Sequence, residues 1–408
     1  MRQLSLLLFV LAGCNPDSPF DDDPVDPTGP TEQYGFVTVL GADTVGAEQV
    51  TRSADAMISE SVDRWPLVRF RHTEYAISPD GRLTRMTMAV STPSGATPVE
   101  RWRKVRARFA EDSVHVTIED SSGITGRSFA TAGALVVPHI SMQYAPIEFA
   151  IASAIKRAAA TGRAGDTLLF RQFYPDRDVG PRFVLHCGRV IRTNSGRVEL
   201  RHDWLAGTAD VTIDSSGRML TYSGQRTTYK VLVTRTAAPP DIDAIRASLA
   251  ADERQRGPAP LSVRDTARVE VGSALLLVDY GRPLRRGRML LGNVIGFDQV
   301  WRTGANEATH FTTSSPITIA GLNVPAGSYT LWTMPHADGV ELIVNRQTGQ
   351  WGTSYDPTQD LGRVPMQHEE VGQSIEAFTI RLTTDGPTHA TMVFEWGTFR
   401  WTAPLVLR

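Results

Sequence analysis

Val68–Val90 reads VRFRHTEYAISPDGRLTRMTMAV, and its spacing decides the class of fold. Val68, Phe70 and His72 fall on one face of an extended chain, Asp80-Gly81 supplies a turn, and Leu83 to Val90 resumes the alternation. Successive strand side chains point to opposite faces, so alternation on both sides of a turn dipeptide predicts an antiparallel hairpin. The same rhythm runs from Gly35 to about Thr236 and predicts an antiparallel meander over residues 35–236. A later turn, Asp214-Ser215-Ser216-Gly217, echoes the first. Shared turn chemistry explains the echo better than a duplicated unit, since Asp, Ser and Gly are what such turns require.

The rhythm breaks at Pro146–Ala160, PIEFAIASAIKRAAA, where Ile147, Ile151, Ala154, Ile155 and Ala158 recur at helical spacing. Pro146 suits a first helical position and Gly162 a stop, so the pattern predicts a helix over about 146–160. One apolar helix among strands predicts a curved sheet, or half-barrel, with the helix against its inner face. That arrangement resembles the half-barrels of bacterial periplasmic lipoprotein carriers, and the resemblance implies a place to shelter acyl chains; no motif carries it to particular residues, and a helix that simply fills the core of a structural module is the favoured expectation. Residues 237–262, from Pro239-Pro240 to Pro260, read as a linker with a short helix bearing Ile242, Ile245 and Leu249. Alternation returns over 263–408 in short runs divided by Gly and Pro, which predicts a β-sandwich or jelly roll. The expected fold class is therefore all-β, mainly antiparallel, in two domains.

The chain has 408 residues and is 41% hydrophobic, enough for two cores. Its 42 basic and 44 acidic side chains give a formal net charge of −2, which argues against nucleic acid as a partner. The two cysteines, Cys14 and Cys187, do not make a disulfide framework, because the first lies in a targeting segment. Arg2, the apolar run Leu4–Val10 and Leu11-Ala12-Gly13-Cys14 form a leader too short to span a bilayer. The tetrapeptide resembles the bacterial lipobox. That resemblance implies a signal peptide over 1–13, cleavage before Cys14 and lipidation of its sulfur, hence a lipoprotein anchored in the cell envelope. Asn15 after the cysteine resembles the sorting pattern for the outer membrane, facing the periplasm in a Gram-negative cell. Each buried methylene contributes about 0.8 kcal/mol, so two or three acyl chains hold a domain stably on a membrane. The Pro- and Asp-rich remainder of residues 14–34 reads as a solvated tether.

The C-terminal half carries a denser pattern. Asp279–Thr309, DYGRPLRRGRMLLGNVIGFDQVWRTGANEAT, is followed by Pro325-Ala326-Gly327, Tyr329, Pro335, Asn345, Gln350-Trp351-Gly352, Tyr355 and Trp396. Together these resemble the bacterial family catalogued as Domain of Unknown Function 2911, which implies membership for this half of the chain and supplies no reaction. Arg282, Arg288, Trp301, Arg302, Asn306, Glu307, Trp351 and Tyr355 are the candidate ligand-binding residues. Guanidinium forks suit carboxylates, indole and phenol faces stack, and amide and carboxylate groups take hydroxyls, so a carboxylated small molecule, a sugar or a lipid is the expected ligand. The same residues also have a structural reading. Arg282 and Arg302 would pair with Asp279 and Glu307 to pin hairpins, the tryptophans would be core, and Arg285 and Arg286 would sit in a solvated loop.

Signatures of catalysis are absent: no Gly-x-Ser-x-Gly elbow, phosphate loop, dinucleotide fingerprint or His-Glu-x-x-His site occurs, and the nine histidines lack metal spacing. Cys187, alternating with Phe183 and Leu185, reads as a buried thiol, and His202, alternating with Val198, Leu200 and Trp204, as a core histidine. The expected function is a non-catalytic binding or scaffold module at a bacterial envelope membrane, without cofactor or metal. The alternatives are a carrier of lipids or lipoproteins through the N-terminal half-barrel, and a hydrolase using Glu307 with Arg282 and Arg302, with Glu395 as a possible second carboxylate.

Overall fold

A computed structural model describes residues 24–64, 66–161, 167–175, 185–194, 196–202, 207–258 and 262–408. Cys14, the tether before residue 24, Phe183 and Trp204 lie outside the described residues. The fold is all-β, built on two large sheets with three helices.

The first sheet begins with β1 (Glu32–Leu40), β2 (Asp43–Arg52), β3 (Ala56–Arg64), β4 (Val68–Ile77) and β5 (Leu83–Ser91). A one-turn helix, α1 (Pro98–Arg101), precedes β6 (Trp102–Phe109), β7 (Ser113–Asp120), β8 (Gly123–Ala130) and β9 (Val136–Pro138). The chain then forms α2 (Ala145–Thr161) and returns through β10 (Thr167–Phe173), β11 (His186–Asn194), β12 (Arg197–His202), β13 (Thr208–Ile213), β14 (Met219–Ser223) and β15 (Leu232–Thr236). The spatial order is β8-β7-β6-β5-β4-β3-β2-β1-β15-β14-β13-β12-β11-β10-β9, an open sheet of two meanders joined where β15 pairs antiparallel with β1. Among the described residues of this sheet, only β9 and β10 run parallel. The hairpin of Val68–Val90 is β4 and β5, with Gly81 at φ +83° in its turn.

The helix expected at 146–160 lies on the sheet as α2. Ile147, Phe149, Ala150, Ile151 and Ala154 are buried in one cluster with Phe36, Met57, Tyr75, Met86, Val116, Leu200 and Tyr222 from strands across the sheet. Polar anchors fix its position. Glu148 in its first turn accepts from Tyr34 Oη at 2.7 Å and from the Met219 amide at 2.9 Å, and pairs with Arg235, so one carboxylate ties α2 to β1, β14 and β15 at the seam between the meanders. Glu48 accepts from Ser59 Oγ at 2.6 Å and from the Tyr144 and Ala145 amides, satisfying donors that open at the helix N-terminus.

The linker helix α3 (Ile242–Arg256) is capped by Asp241, whose carboxylate accepts from the Ala244 amide at 2.9 Å. It docks back on the first sheet: Ile242 is buried with Ala47, Val62 and Val68, while Ile245 and Leu249 pack alongside, and Asp252 pairs with Arg64.

The second sheet contains β16 (Ser262–Val271), β17 (Ala274–Pro283), β18 (Thr309–Thr313), β19 (Ile317–Ile319), β20 (Leu322–Val324), β21 (Gly327–Pro335), β22 (Val340–Asn345), β23 (Asp360–Thr384) and β24 (His389–Leu407). Its order is β16-β17-β18-β21-β22-β23-β24-β19-β20, all antiparallel. The early part of β23 pairs with β22 and the later part with β24, with register breaks between Glu370 and Thr379. The layers are therefore joined through β23 rather than formed by two separate sheets. They enclose Val278, Tyr280, Phe311, Leu342, Phe378, Phe394, Trp396 and Trp401 in one core.

Burial pushes the Glu48 carboxyl up to about 7 against the pull of the hydrogen bonds it accepts. Its folded form holds a proton more tightly than the unfolded chain, so this contribution is full below the ordinary value of 4.5 and lost as pH rises through about 7. We expect Glu48→Gln to remove a stability loss on the order of 3 kcal/mol between pH 5 and 8, read as a flatter denaturation midpoint against pH; parallel profiles for the two proteins would contradict it.

Candidate functional site

The two sheets touch where the turn from β1 to β2 meets the loop after β17. Gly41, at φ +65°, lies so close that a Cβ would fall 1.8 Å from the Arg286 carbonyl oxygen. The next residue, Ala42, donates its amide to that oxygen at 3.0 Å, and the Arg286 guanidinium pairs with Asp43. Beside this contact opens a cleft of about 1040 Å³. It has room for a ligand of drug size or larger.

One wall comes from the first sheet: Arg69 of β4, His139 and Ser141 before α2, Tyr174 after β10, and Arg226 to Lys230 in the β14–β15 turn. The other comes from the loops of the second sheet: Arg286, Arg288, Val294 to Gly296, Gln299 to Arg302, Gly304 to Asn306, Trp351 and Thr353, with Trp396 of β24. Among the described residues that line the cleft, six are Arg or Lys and none is Asp or Glu. That imbalance is local, because the chain as a whole is near neutral.

The cations differ in how they are compensated. Arg286 has Asp43, and Arg226 has Asp210 at 2.9 Å from its Nε and Glu199 at 2.9 Å from an Nη2. Among the described residues, Lys230, Arg288 and Arg302 hydrogen-bond only to carbonyl oxygens: Lys230 Nζ donates to Gln225 O at 2.6 Å, Arg288 Nε to Arg285 O at 2.9 Å, and Arg302 Nη1 to Asn306 O at 3.1 Å. Burial first, then the nearby positive charge of Arg288 and Arg302, lowers Lys230 to about 8. Burial, then Arg286, lowers Arg288 to about 10 despite Glu376, and burial alone lowers Arg302. Half-buried cations that hydrogen-bond only to carbonyl oxygens favour an incoming anion.

The C-terminal motif owes its composition to this wall. Trp301 exchanges backbone hydrogen bonds with Thr333 at 2.8 and 2.9 Å, and Thr309 Oγ1 donates to Thr303 O at 2.7 Å. Gly281 allows the loop to lie on β17, since a Cβ there would meet Ala305 O at 2.2 Å. The Gln350-Trp351-Gly352 segment is stitched to the same loop: Ala308 N donates to Gln350 O at 3.2 Å and Gly352 N to Asn306 O at 2.9 Å. Lys230, Arg286, Thr303 and Asn306 all hold positive φ without being glycine, a conformation that costs about 1 kcal/mol or more for most residues. Both walls therefore carry backbone strain.

Of the residues singled out in the sequence, Arg288, Trp301, Arg302, Asn306 and Trp351 line the cleft, and Arg282, Glu307 and Tyr355 do not. Trp301 stacks on Trp396 at 5.8 Å with planes 12° apart, whereas Trp351 is 51% exposed. Arg282 ties β17 to its neighbours through Asp265 at 3.0 Å, Phe378 O at 3.1 Å and Thr379 Oγ1 at 2.9 Å. Tyr355 packs on Trp332 and donates to Asp360 at 2.7 Å. The expected pairing of Arg282 and Arg302 with Asp279 and Glu307 gives way to Arg264, which reaches both carboxylates, at 2.8 and 3.4 Å. Glu395 is buried against Arg400 and Arg381, away from the cleft.

Other expectations also change. Arg286 is not a solvated loop residue, because Asp43 and the Ala42 amide hold it, and Arg285 donates to Ser374 Oγ at 2.7 Å. Cys187 is half-buried rather than core. His202 is buried, with Nδ1 2.7 Å from Gln172 Oε1, and burial holds its ring well below the usual histidine range. Sequence reading missed Lys230, Arg226 and Arg69, since nothing in their local pattern marks a cleft wall. Among the described residues no three His, Cys, Asp or Glu side chains are grouped to hold a metal.

Residues 262–405 match the model of a family described as a protein of unknown function, DUF2911. No curated protein matches the chain. Among solved structures, a DUF1089 family protein from Pseudomonas aeruginosa is 14% identical and covers 45% of this chain and 91% of its own, with a TM-score of 0.32. A structure of botulinum neurotoxin type C is 7% identical, covering 93% of this chain and 88% of its own, with a TM-score of 0.12. Similarity at those scores carries no argument about fold or function.

Lys230 has a lower folded pKa than unfolded pKa, so its charge destabilises the ligand-free protein below about pH 8, and the penalty fades as pH rises toward the ordinary 10.5. We expect Lys230→Met to be at least as stable as the parent at pH 7, by a margin on the order of 2 kcal/mol after allowance for solvent screening, with the gap narrowing by pH 10. Chemical denaturation at the two pH values checks this, and a variant less stable at pH 7 would contradict it.

Proposed function

We propose that this protein is a non-catalytic binding module that takes a small anionic molecule into the cleft between its sheets. The observation that carries the reading is the set of Lys230, Arg288 and Arg302, half-buried and hydrogen-bonded to carbonyl oxygens, in a cleft with no acidic residue among its described lining. Building such a site costs stability in the empty protein, and an anion entering it removes that cost. Trp301 and Trp351 offer apolar faces, while Asn306, Gln299 and Thr353 offer polar groups for the uncharged part of a ligand.

The hydrolytic alternative finds no support here. Glu307 points its charge at Arg264, Glu395 is held by two arginines, and neither belongs to the cleft. The carrier alternative is not favoured either, because the apolar side chains of α2 fill the face on which an acyl chain would rest.

We further propose that the module is a lipoprotein of the bacterial envelope, on the outer membrane facing the periplasm in a Gram-negative cell, anchored through lipid on Cys14. The support is the leader and lipobox-like tetrapeptide. No described helix is long and apolar enough to cross a membrane.

Thermal unfolding of the full chain against citrate, sulfate and phosphate tests the cleft. At a hundredfold excess over Kd we expect at least one anion to raise Tm by about 5 °C, and Arg302→Met and Lys230→Met each to cut the rise by about half or more. No rise, or one that neither substitution diminishes, would refute the reading. For the anchor, Cys14→Ser is expected to leave the membrane fraction, and unchanged fractionation would refute it.

A further inference from the structure

We propose that the ligand of this cleft is a phosphate monoester borne on a sugar or heterocyclic ring, with its phosphate on Lys230, Arg288 and Arg302 and its ring against Trp351. The inference rests on the cleft reading above and narrows it to a chemical class.

Charge is the first argument. A single carboxylate would leave two of the three cations with only carbonyl partners in a half-buried cleft. A phosphate monoester brings a charge of about −1.5 to −2 at neutral pH and three acceptor oxygens, which matches three donor groups arriving from two walls. Two of those groups are guanidinium forks, whose planar geometry suits phosphate oxygens, and the third is a lysine, which acts as a point charge. A phosphodiester, with one charge, fits less well.

The aromatic residues supply the second argument. Trp301 is boxed, stacked on Trp396 and met edge-on by Phe378 and Trp401, so its position is fixed by packing. Trp351 is different: it is 51% exposed, yet its backbone is held through the Glu307 bridge and the hydrogen bonds of its neighbours to the 301–309 loop. A large apolar ring presented on a fixed backbone beside an anion site is a stacking surface with little ordering cost. Asn306 is exposed nearby at a positive φ of 64°, and its amide is available for ring hydroxyls. The volume of about 1040 Å³ exceeds what a bare phosphate needs and accommodates the ring.

Lys230 adds a signature that an ordinary salt bridge would lack. Burial and the neighbouring Arg288 and Arg302 lower Lys230 to about 8, so near that pH a dianion arriving there draws a proton onto the lysine.

Isothermal titration of the full chain at pH 8, in Tris and in HEPES, tests the proposal with glucose 6-phosphate, adenosine monophosphate, inorganic phosphate, glucuronate, glucose and short-chain phosphatidic acid. The expected result is binding of a ring phosphate at least tenfold tighter than glucuronate and inorganic phosphate, with no binding of glucose. Proton uptake should appear as a difference in enthalpy between the buffers. Lys230→Met should abolish the buffer difference, and Arg302→Met and Trp351→Ala should each weaken binding about tenfold while Tm without ligand stays within a few degrees of the parent. Preference between glucose 6-phosphate and adenosine monophosphate assigns the ring. Glucuronate binding as tightly as the phosphates would overturn the phosphate assignment and leave the anion cleft standing. Inorganic phosphate binding equally well would overturn the ring, and phosphatidic acid binding tightest would replace the ring with a lipid. Absence of binding by every anion would overturn both this inference and the cleft reading.

Discussion

The contact between Gly41-Ala42 and the Arg286 carbonyl sets the geometry from which everything functional follows. A turn in the first sheet and a loop of the second approach within the space that only a glycine leaves, and one backbone hydrogen bond and one ion pair fix the approach. The β14–β15 turn and the 301–309 loop then face each other across a gap instead of closing on it. Lys230 lies on one side of that gap and Arg288 and Arg302 on the other, so the charge of the cleft is a property of the assembled halves and of neither alone.

Each half reaches this arrangement through its own core. In the first sheet, α2 is held at the seam between two meanders by Glu148 and Glu48, and its apolar face supplies the centre of the core. In the second, β23 passes from one layer to the other and lets Trp396 and Trp401 pack beneath the loop that carries Trp301. The backbone at Lys230, Arg286, Thr303 and Asn306 is strained where the two halves form the cleft.

Much of the fold was legible in the sequence because its signals are local. Period-two alternation around Asp80-Gly81 marks a hairpin whatever surrounds it, and the helical spacing of Ile147, Ile151 and Ile155 stands out against that background. The cleft was half legible. Arg288, Trp301, Arg302, Asn306 and Trp351 belong to dense motifs, but Arg282 and Tyr355 belong to the same motifs and serve packing instead. Composition cannot separate an arginine that pins β17 to Asp265 from one left without a carboxylate, since the difference lies in a partner on another strand. Arg286 was misread for a related reason: its acid, Asp43, lies 243 residues away in the chain. Lys230 gave no local signal, because its role depends on charges brought to it by the other half.

Whether a multivalent anion sits between Lys230, Arg288 and Arg302 is decided by anomalous X-ray diffraction from crystals of the full chain grown with tungstate. Tungstate carries the charge and tetrahedral oxygens of phosphate, and its heavy atom scatters strongly enough to be located without ambiguity. One dominant peak is expected within hydrogen-bonding reach of Lys230, Arg288 and Arg302, absent in crystals of Lys230→Met/Arg302→Met. A cleft free of tungstate, with the ion bound instead at exposed surface arginines, would contradict it.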